Sequence, residues 1–152
     1  MELTIREARS DDAKAISQVI VAAVRESNGQ DYPASIIESV AANFAPERVI
    51  ELLEKRLVFV ALLSDKIVGT GALDGNAVRS LFIAPLQQRK GIGQALMSRI
   101  EKTALQRGVE ALLVPASLTA EGFYSRLGYR VIREQLQGEE RTLIMSKPLA
   151  PL

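Results

Sequence analysis

Residues 87–100 read QQRKGIGQALMSRI, a basic, glycine-punctuated run that passes directly into helical periodicity. Glycines at a helix entrance let backbone N–H groups approach a ligand, and an anion suits that place because a helix N-terminus carries about half a positive charge. Gly91 and Gly93 carry no side chain that would block an anion, and both tolerate positive φ, so successive N–H groups can converge on it. Arg89 and Lys90 add attraction for a multiply charged phosphate. By itself the stretch reads equally well as a helix entry with spare glycines and solvated basic side chains. Two familiar phosphate loops do not fit it. The dinucleotide pattern G-x-G-x-x-G fails at Leu96, and no Gly-Lys-Ser/Thr completes a P-loop.

Outward from this stretch, the period of the apolar residues sets the architecture. Residues 2–8 alternate as a strand, and Ser10 is the expected N-cap of a helix running to about Ser27. Helical pieces are expected near 34–43 and 46–56, the second with Pro46 in its first turn. The period then changes: LVFVALL (57–63), KIVGTGALD (66–74) and AVRSLFI (77–83) read as three strands of a meander. The glycines of VGTG lie inside a strand and mark a bulge or a close packing contact. The helix opened by the quoted stretch closes at Gly108, EALLVP (110–115) is a buried strand, and Ser117 caps a short helix to about Leu127. A hairpin around Gly138 ends the chain. Only the strands 77–83 and 110–115 are separated by a helix of crossover length, so they alone are expected to be parallel. The fold class is α/β (α+β), with a mostly antiparallel mixed sheet of about seven strands and helices on both faces.

The chain has 152 residues, the size of a single domain spanning 1–152. With 47% hydrophobic and 24% charged residues, it falls among globular chains. It contains neither His nor Cys, which excludes a Ser-His-Asp triad, a cysteine nucleophile and a His/Cys metal site. No apolar run reaches the roughly 18 residues of a membrane span, and MELTIREARSDD carries charges where a signal peptide needs an apolar core. A cytoplasmic setting is therefore expected. A net charge of +1 argues against bulk nucleic-acid binding. The charge is uneven, however: residues 1–50 carry −3 and residues 51–152 carry +4. That asymmetry favours a cationic substrate on one side and an anionic cofactor on the other.

A second stretch, PASLTAEGFYSRLGYR (115–130), gives the first its context. Together they resemble the GNAT superfamily of N-acetyltransferases. Its signature [RQ]-x-x-G-x-[GA] is matched by Gln88, Gly91 and Gly93, and its later helix A-x-x-F-Y-x-x-x-G-[FY] by Ala120, Phe123, Tyr124, Gly128 and Tyr129. The approach LFIAP (81–85) and the order of elements also agree over nearly the whole chain. The resemblance implies a GNAT fold in which the parallel pair splays into a V-shaped opening for acetyl-CoA. The backbone of Leu81, Phe82 and Ile83 would then run beside the pantetheine arm. Amides of Arg89, Lys90, Gly91, Ile92, Gly93 and Gln94 would hold the pyrophosphate, and an amide near Phe82 would polarise the thioester carbonyl. Ser117 stands where many relatives have Asn, and it would meet the pantetheine region.

By the same resemblance Tyr124 is the general acid. A phenol of pKa about 10 keeps its proton at neutral pH and can donate to a thiolate of pKa about 8.5. The expected reaction is direct transfer of acetyl to a primary amine in a ternary complex, with no metal and no acyl-cysteine intermediate. Asp74, Glu26 or water would take the ammonium proton. Tyr32 and Phe44 lie in the segment from which such enzymes select their acceptor, and Tyr32 is the substrate-binding candidate. A small-molecule acceptor, cationic on the charge argument, is favoured. A protein N-terminus or lysine, and a non-catalytic acyl-CoA sensor, remain alternatives, and a homodimer stays open. Neither nucleic acid nor membrane is an expected partner.

Overall fold

The computed structural model describes residues 2–26, 33–138 and 140–149. Strand β1 (Leu3–Glu7) leads through a 3-10 turn (Ser10–Asp12) into α1 (Ala13–Glu26), followed by α2 (Ala34–Ala42) and α3 (Pro46–Lys55). Strands β2 (Leu57–Leu63), β3 (Lys66–Asp74) and β4 (Ala77–Ile83) form the meander. Then come α4 (Ile92–Gln106), β5 (Ala111–Ala116), α5 (Glu121–Arg126), β6 (Arg130–Gln137) and β7 (Glu140–Pro148). The seven strands make one sheet in the order β1-β2-β3-β4-β5-β7-β6, and among the described residues its only parallel neighbours are β4 and β5.

Because side chains of a strand alternate between faces, the near-continuous apolar run of β2 feeds two cores. Phe59 and Ala61 join Leu96, Met97 and Ile100 of α4 on one face, while Val60 joins Ile16, Ile20 and Val24 of α1 and Val49 of α3 on the other. All ten of these side chains are buried. The glycines of β3 make the first face tight. A Cβ on Gly69 would come within 2.9 Å of Ile83 Cδ1, and one on Gly71 within 2.8 Å of Leu81 Cδ1. Opposite them the β3–β4 register slips between Thr70 and Ala72, and Ser80 takes φ +55°. VGTG thus marks both a bulge and a close approach.

One local expectation is corrected. Ser10 does not cap α1. The Asp12 carboxylate accepts the Arg9 N–H at 2.7 Å and is gripped by both Arg6 guanidinium nitrogens at 2.8 and 3.1 Å. A buried carboxylate with a cation beside it serves as a stronger acceptor than a hydroxyl, and Arg6 holds its pKa below the ordinary value.

Candidate active site

Strands β4 and β5 pair at Ala77↔Leu113, where the Leu113 N–H donates to Asn76 O at 2.9 Å, and then they part. The bulge at Ser80 bends β4 away, whereas β5 stays straight because β7 pairs with it along its whole length, from Ala111 to Ala116. The edge of β4 that faces the gap is left without a partner strand. Ala84 donates to Val68 O of β3 at 2.8 Å, so by strand alternation Phe82 also faces β3 and Ile83 turns its N–H and C=O into the gap. There the Gln88 side-chain amide reaches Ile83 O at 3.4 Å. The oxyanion amide expected near Phe82 is therefore not that of Phe82 itself. Its ring lies on the opposite face against Phe44, with centroids 6.1 Å apart.

At the end of that edge the chain makes a 3-10 turn (Pro85–Gln87) and enters α4 through two left-handed residues, Arg89 at φ +64° and Gly91 at φ +81°. Holding a non-glycine residue there costs roughly 1 kcal/mol, and this concentrates strain at the predicted cradle. The amides from Arg89 to Gln94 have no backbone acceptor among the described residues; the first turn of a helix has none to offer them. Nothing lies within 4 Å of the place where a Gly91 Cβ would sit. Arg89 and Lys90 are exposed, with Lys90 Nζ on Gln87 Oε1 at 3.0 Å. These features fit an anionic phosphate: unclaimed donors, open space and added positive charge.

Gly93 has a different neighbour. A Cβ there would meet Phe123 Cζ at 3.1 Å, so this glycine lets α5 close onto the start of α4. Phe123 in turn stacks edge-on against Tyr124 at 5.0 Å, and Tyr124 against Tyr129 at 5.7 Å. The two sequence motifs thus meet through Gly93 and Phe123. Tyr124 is 6% exposed, and its hydroxyl forms no hydrogen bond with any described residue. Burial pushes this phenol well above its ordinary pKa, so it holds its proton at every physiological pH. Tyr129 is tethered instead: its hydroxyl donates to Glu101 at 2.7 Å, and Lys147 pairs with the same carboxylate at 3.0 Å. Ser117 does cap the turn into α5, accepting the Ala120 N–H at 3.2 Å, and its own hydroxyl hydrogen stays available.

The far face of β4 borders a recess of about 290 Å³, a volume that includes the solvent at its mouth, roofed by Ile16 and Ile20 of α1 and Val49 of α3. Phe44, Arg56, Thr70 and Ser80 also line it. Sequence patterning missed Arg56, Thr70 and Ser80, which come from three separate elements and share no spacing. Of the candidate bases, Asp74 lies 3.6 Å from Arg56, and Glu26 is exposed at the end of α1. Tyr32 lies outside the described residues. The acidic first fifty residues spend Asp12 and Glu38 in ion pairs with Arg6 and Arg25, and Arg48 pairs with Glu51 just beyond them. Among the described residues, no cluster of three or more His, Cys, Asp or Glu could hold a metal, and no helix is long and apolar enough to cross a membrane.

Comparison with known proteins places this geometry among relatives. The family described as acetyltransferase (GNAT) domain matches residues 16–145. The uncharacterized N-acetyltransferase YafP of Escherichia coli (strain K12) is 28% identical over 133 residues, covering 88% of this chain and 85% of that protein. The uncharacterized N-acetyltransferase CT2212 of Chlorobaculum tepidum is 29% identical over 137 residues, covering 86% and 77%. Among solved structures, a GCN5-related N-acetyltransferase from Rhodopseudomonas palustris superposes with a TM-score of 0.90 at 25% identity, covering 97% and 96% of the two chains. The PaiA N-acetyltransferase of Thermoplasma acidophilum, solved with coenzyme A, gives 0.83 at 21% identity over 97% and 99%.

Proposed function

The chain belongs to the GNAT acetyltransferase family, and from that premise we propose that it moves an acetyl group from acetyl-CoA directly to a small primary amine. The observation that carries this is the parting of β4 from β5 after one residue pair, beside a helix entrance whose amides are unclaimed. The amides of Arg89 to Gln94 bind the pyrophosphate, with Arg89 and Lys90 supplying charge. Leu81, Phe82 and Ile83 form the strand edge along which the pantetheine arm lies, and Ser117 donates a hydrogen bond to that arm from across the gap. The Ile83 N–H points into the gap, where it stabilises the oxyanion as the amine nitrogen bonds to the acetyl carbon.

Tyr124 then acts on the leaving sulfur as the C–S bond breaks. On ordinary pKa values full proton transfer from phenol to thiolate runs uphill by about 2 kcal/mol, and the raised pKa of Tyr124 makes it steeper. The Tyr124 hydroxyl therefore first stabilises the developing thiolate as a hydrogen-bond donor. Its proton passes to sulfur only as the proton shed by the nitrogen, relayed through water, replaces it. Asp74 is engaged with Arg56 and Glu26 sits on the surface, so water is the acceptor for the ammonium proton.

The test combines calorimetric titration of coenzyme A with a thiol-release assay across a panel of primary amines. Wild type should bind coenzyme A and release thiol with at least one amine. Gly91→Asp puts a like charge and a strained left-handed residue in the cradle, and should weaken coenzyme A binding about tenfold or more. Unchanged binding in that variant, or binding without turnover on any amine, would sink the proposal.

A further inference from the structure

The recess on the far face of β4 contains a cation that the acetyl-transfer steps leave without a task. Arg56 follows the last residue of α3, and its side chain, 22% exposed, lines the recess together with the partly exposed Phe44, Leu52 and Val58. Its Nη1 reaches Ser80 Oγ at 3.4 Å, its Nε lies 3.6 Å from Asp74 Oδ2, and its Nη2 has no partner among the described residues. A guanidinium offers five N–H donors in a planar fork. One long hydrogen bond and one contact beyond hydrogen-bond length leave most of that fork unmatched. Desolvation lowers the Arg56 pKa despite Asp74, and the neighbouring Arg79 pushes it the same way. Arg79 is exposed and has no ion pair among the described residues. The one carboxylate beside Arg56, Asp74, is itself 46% exposed to water. An apolar recess with an under-satisfied planar cation at its wall is built to receive a planar anion.

Its position gives that anion a role. Ser80, the partner of Arg56, stands at the bulge immediately before the edge Leu81–Ile83, so the recess adjoins the strand that carries the donor arm in the proposed reaction. We propose that Arg56, with Ser80, binds a carboxylate on the acceptor, whose apolar body rests on the partly exposed Phe44, Leu52 and Val58. The acceptor is then a small amino acid or other amino-carboxylate and not a simple alkylamine. This rests on the acetyl-transfer reading above and extends it to the substrate class.

The experiment compares amines that differ only by a carboxylate: leucine against isopentylamine, phenylalanine against phenethylamine, and ε-aminocaproate against pentylamine. The readout is kcat/KM for thiol release by wild type, Arg56→Gln and Arg56→Lys. Wild type should favour the carboxylated member of at least one pair. Arg56→Gln should cut that preference about tenfold or more, as expected for loss of a charge-assisted hydrogen bond, and Arg56→Lys should retain part of it. Coenzyme A affinity and Tm should be the same in all three proteins, which separates loss of the anion site from misfolding. A preference that is absent in wild type, or that survives Arg56→Gln unchanged, overturns the proposal. A second arm needs no turnover: isocaproate is titrated calorimetrically into wild type and Arg56→Gln with coenzyme A present. If no amine reacts, isocaproate binding that disappears in Arg56→Gln upholds the anion site and condemns the acetyl-transfer reading. No isocaproate binding in that case overturns the anion site as well.

Discussion

The two faces of β4 are built on different principles. Toward α4 and β5 the proposed working groups are backbone: a free strand edge, a left-handed turn and a helix entrance, with glycines where α4 must approach α5 or β3. Toward α1 and α3 the proposed working groups are side chains, Arg56 and Ser80, gathered from a helix end and a strand. Backbone sites depend on where the chain turns, which short motifs fix. Side-chain sites depend on which distant residues the packing brings together. The donor face should therefore be sensitive to small changes of shape, and the acceptor face to changes of charge.

The largest test of this contrast is Tyr124→Phe, the donor-face position where we propose that a side chain does chemistry. It should lower kcat by about a hundredfold or more while leaving coenzyme A affinity within a factor of about two. Full activity in the variant would reduce the donor face to pure scaffold. Burial lifts this phenol above its ordinary value, so its proton is present well beyond neutrality. In wild type kcat should accordingly rise with pH as the amine deprotonates, with no descending limb near pH 10, about where a free phenol would titrate.

Next in size is a charge test on the helical side. Asp12→Asn keeps the shape but removes the carboxylate that Arg6 and the Arg9 N–H share, and should cost about 2 kcal/mol in urea unfolding. Arg6 holds the folded-state pKa of Asp12 down, so its contribution is complete above the unfolded value of about 4 and fades as pH falls through the lowered folded value. The gap between wild type and variant should close in acid. A gap independent of pH would mean that packing, not charge, secures the entry to α1.

The smallest expected effect separates the two glycines of the cradle. Gly93→Ala gains helix propensity but pushes on Phe123, and through it on Tyr124. A few-fold loss in kcat, about 1 kcal/mol in the barrier, with coenzyme A affinity unchanged would assign Gly93 to packing. Weakened affinity with kcat intact would return it to the phosphate.

Much of this was legible from residues 87–100 and 115–130. The elements of the meander, the crossover helix and the short α5 follow from apolar period and turn residues, and their boundaries fall close to the expected ones. Where the local reading failed, a tertiary partner had intervened. Ser10 is a good cap by composition, but Arg6 on β1 made Asp12 the better acceptor. The amide expected near Phe82 is narrowed by the pairing with β3 to its neighbour Ile83, whose N–H is the one turned to the gap. Gly93 looked like an open position, and Phe123 occupies the space beside it.

The sequence by itself determined the order of strands and helices, the single parallel pair and the phosphate-seeking turn, because each depends on periodicity or on backbone freedom at named residues. Only the tertiary structure decided which amide enters the gap, how Tyr124 loses its solvent, and that Arg56 lies under α1 beside Ser80. Those facts rest on contacts between residues far apart in the chain, such as Arg56 and Ser80, and no local spacing encodes them.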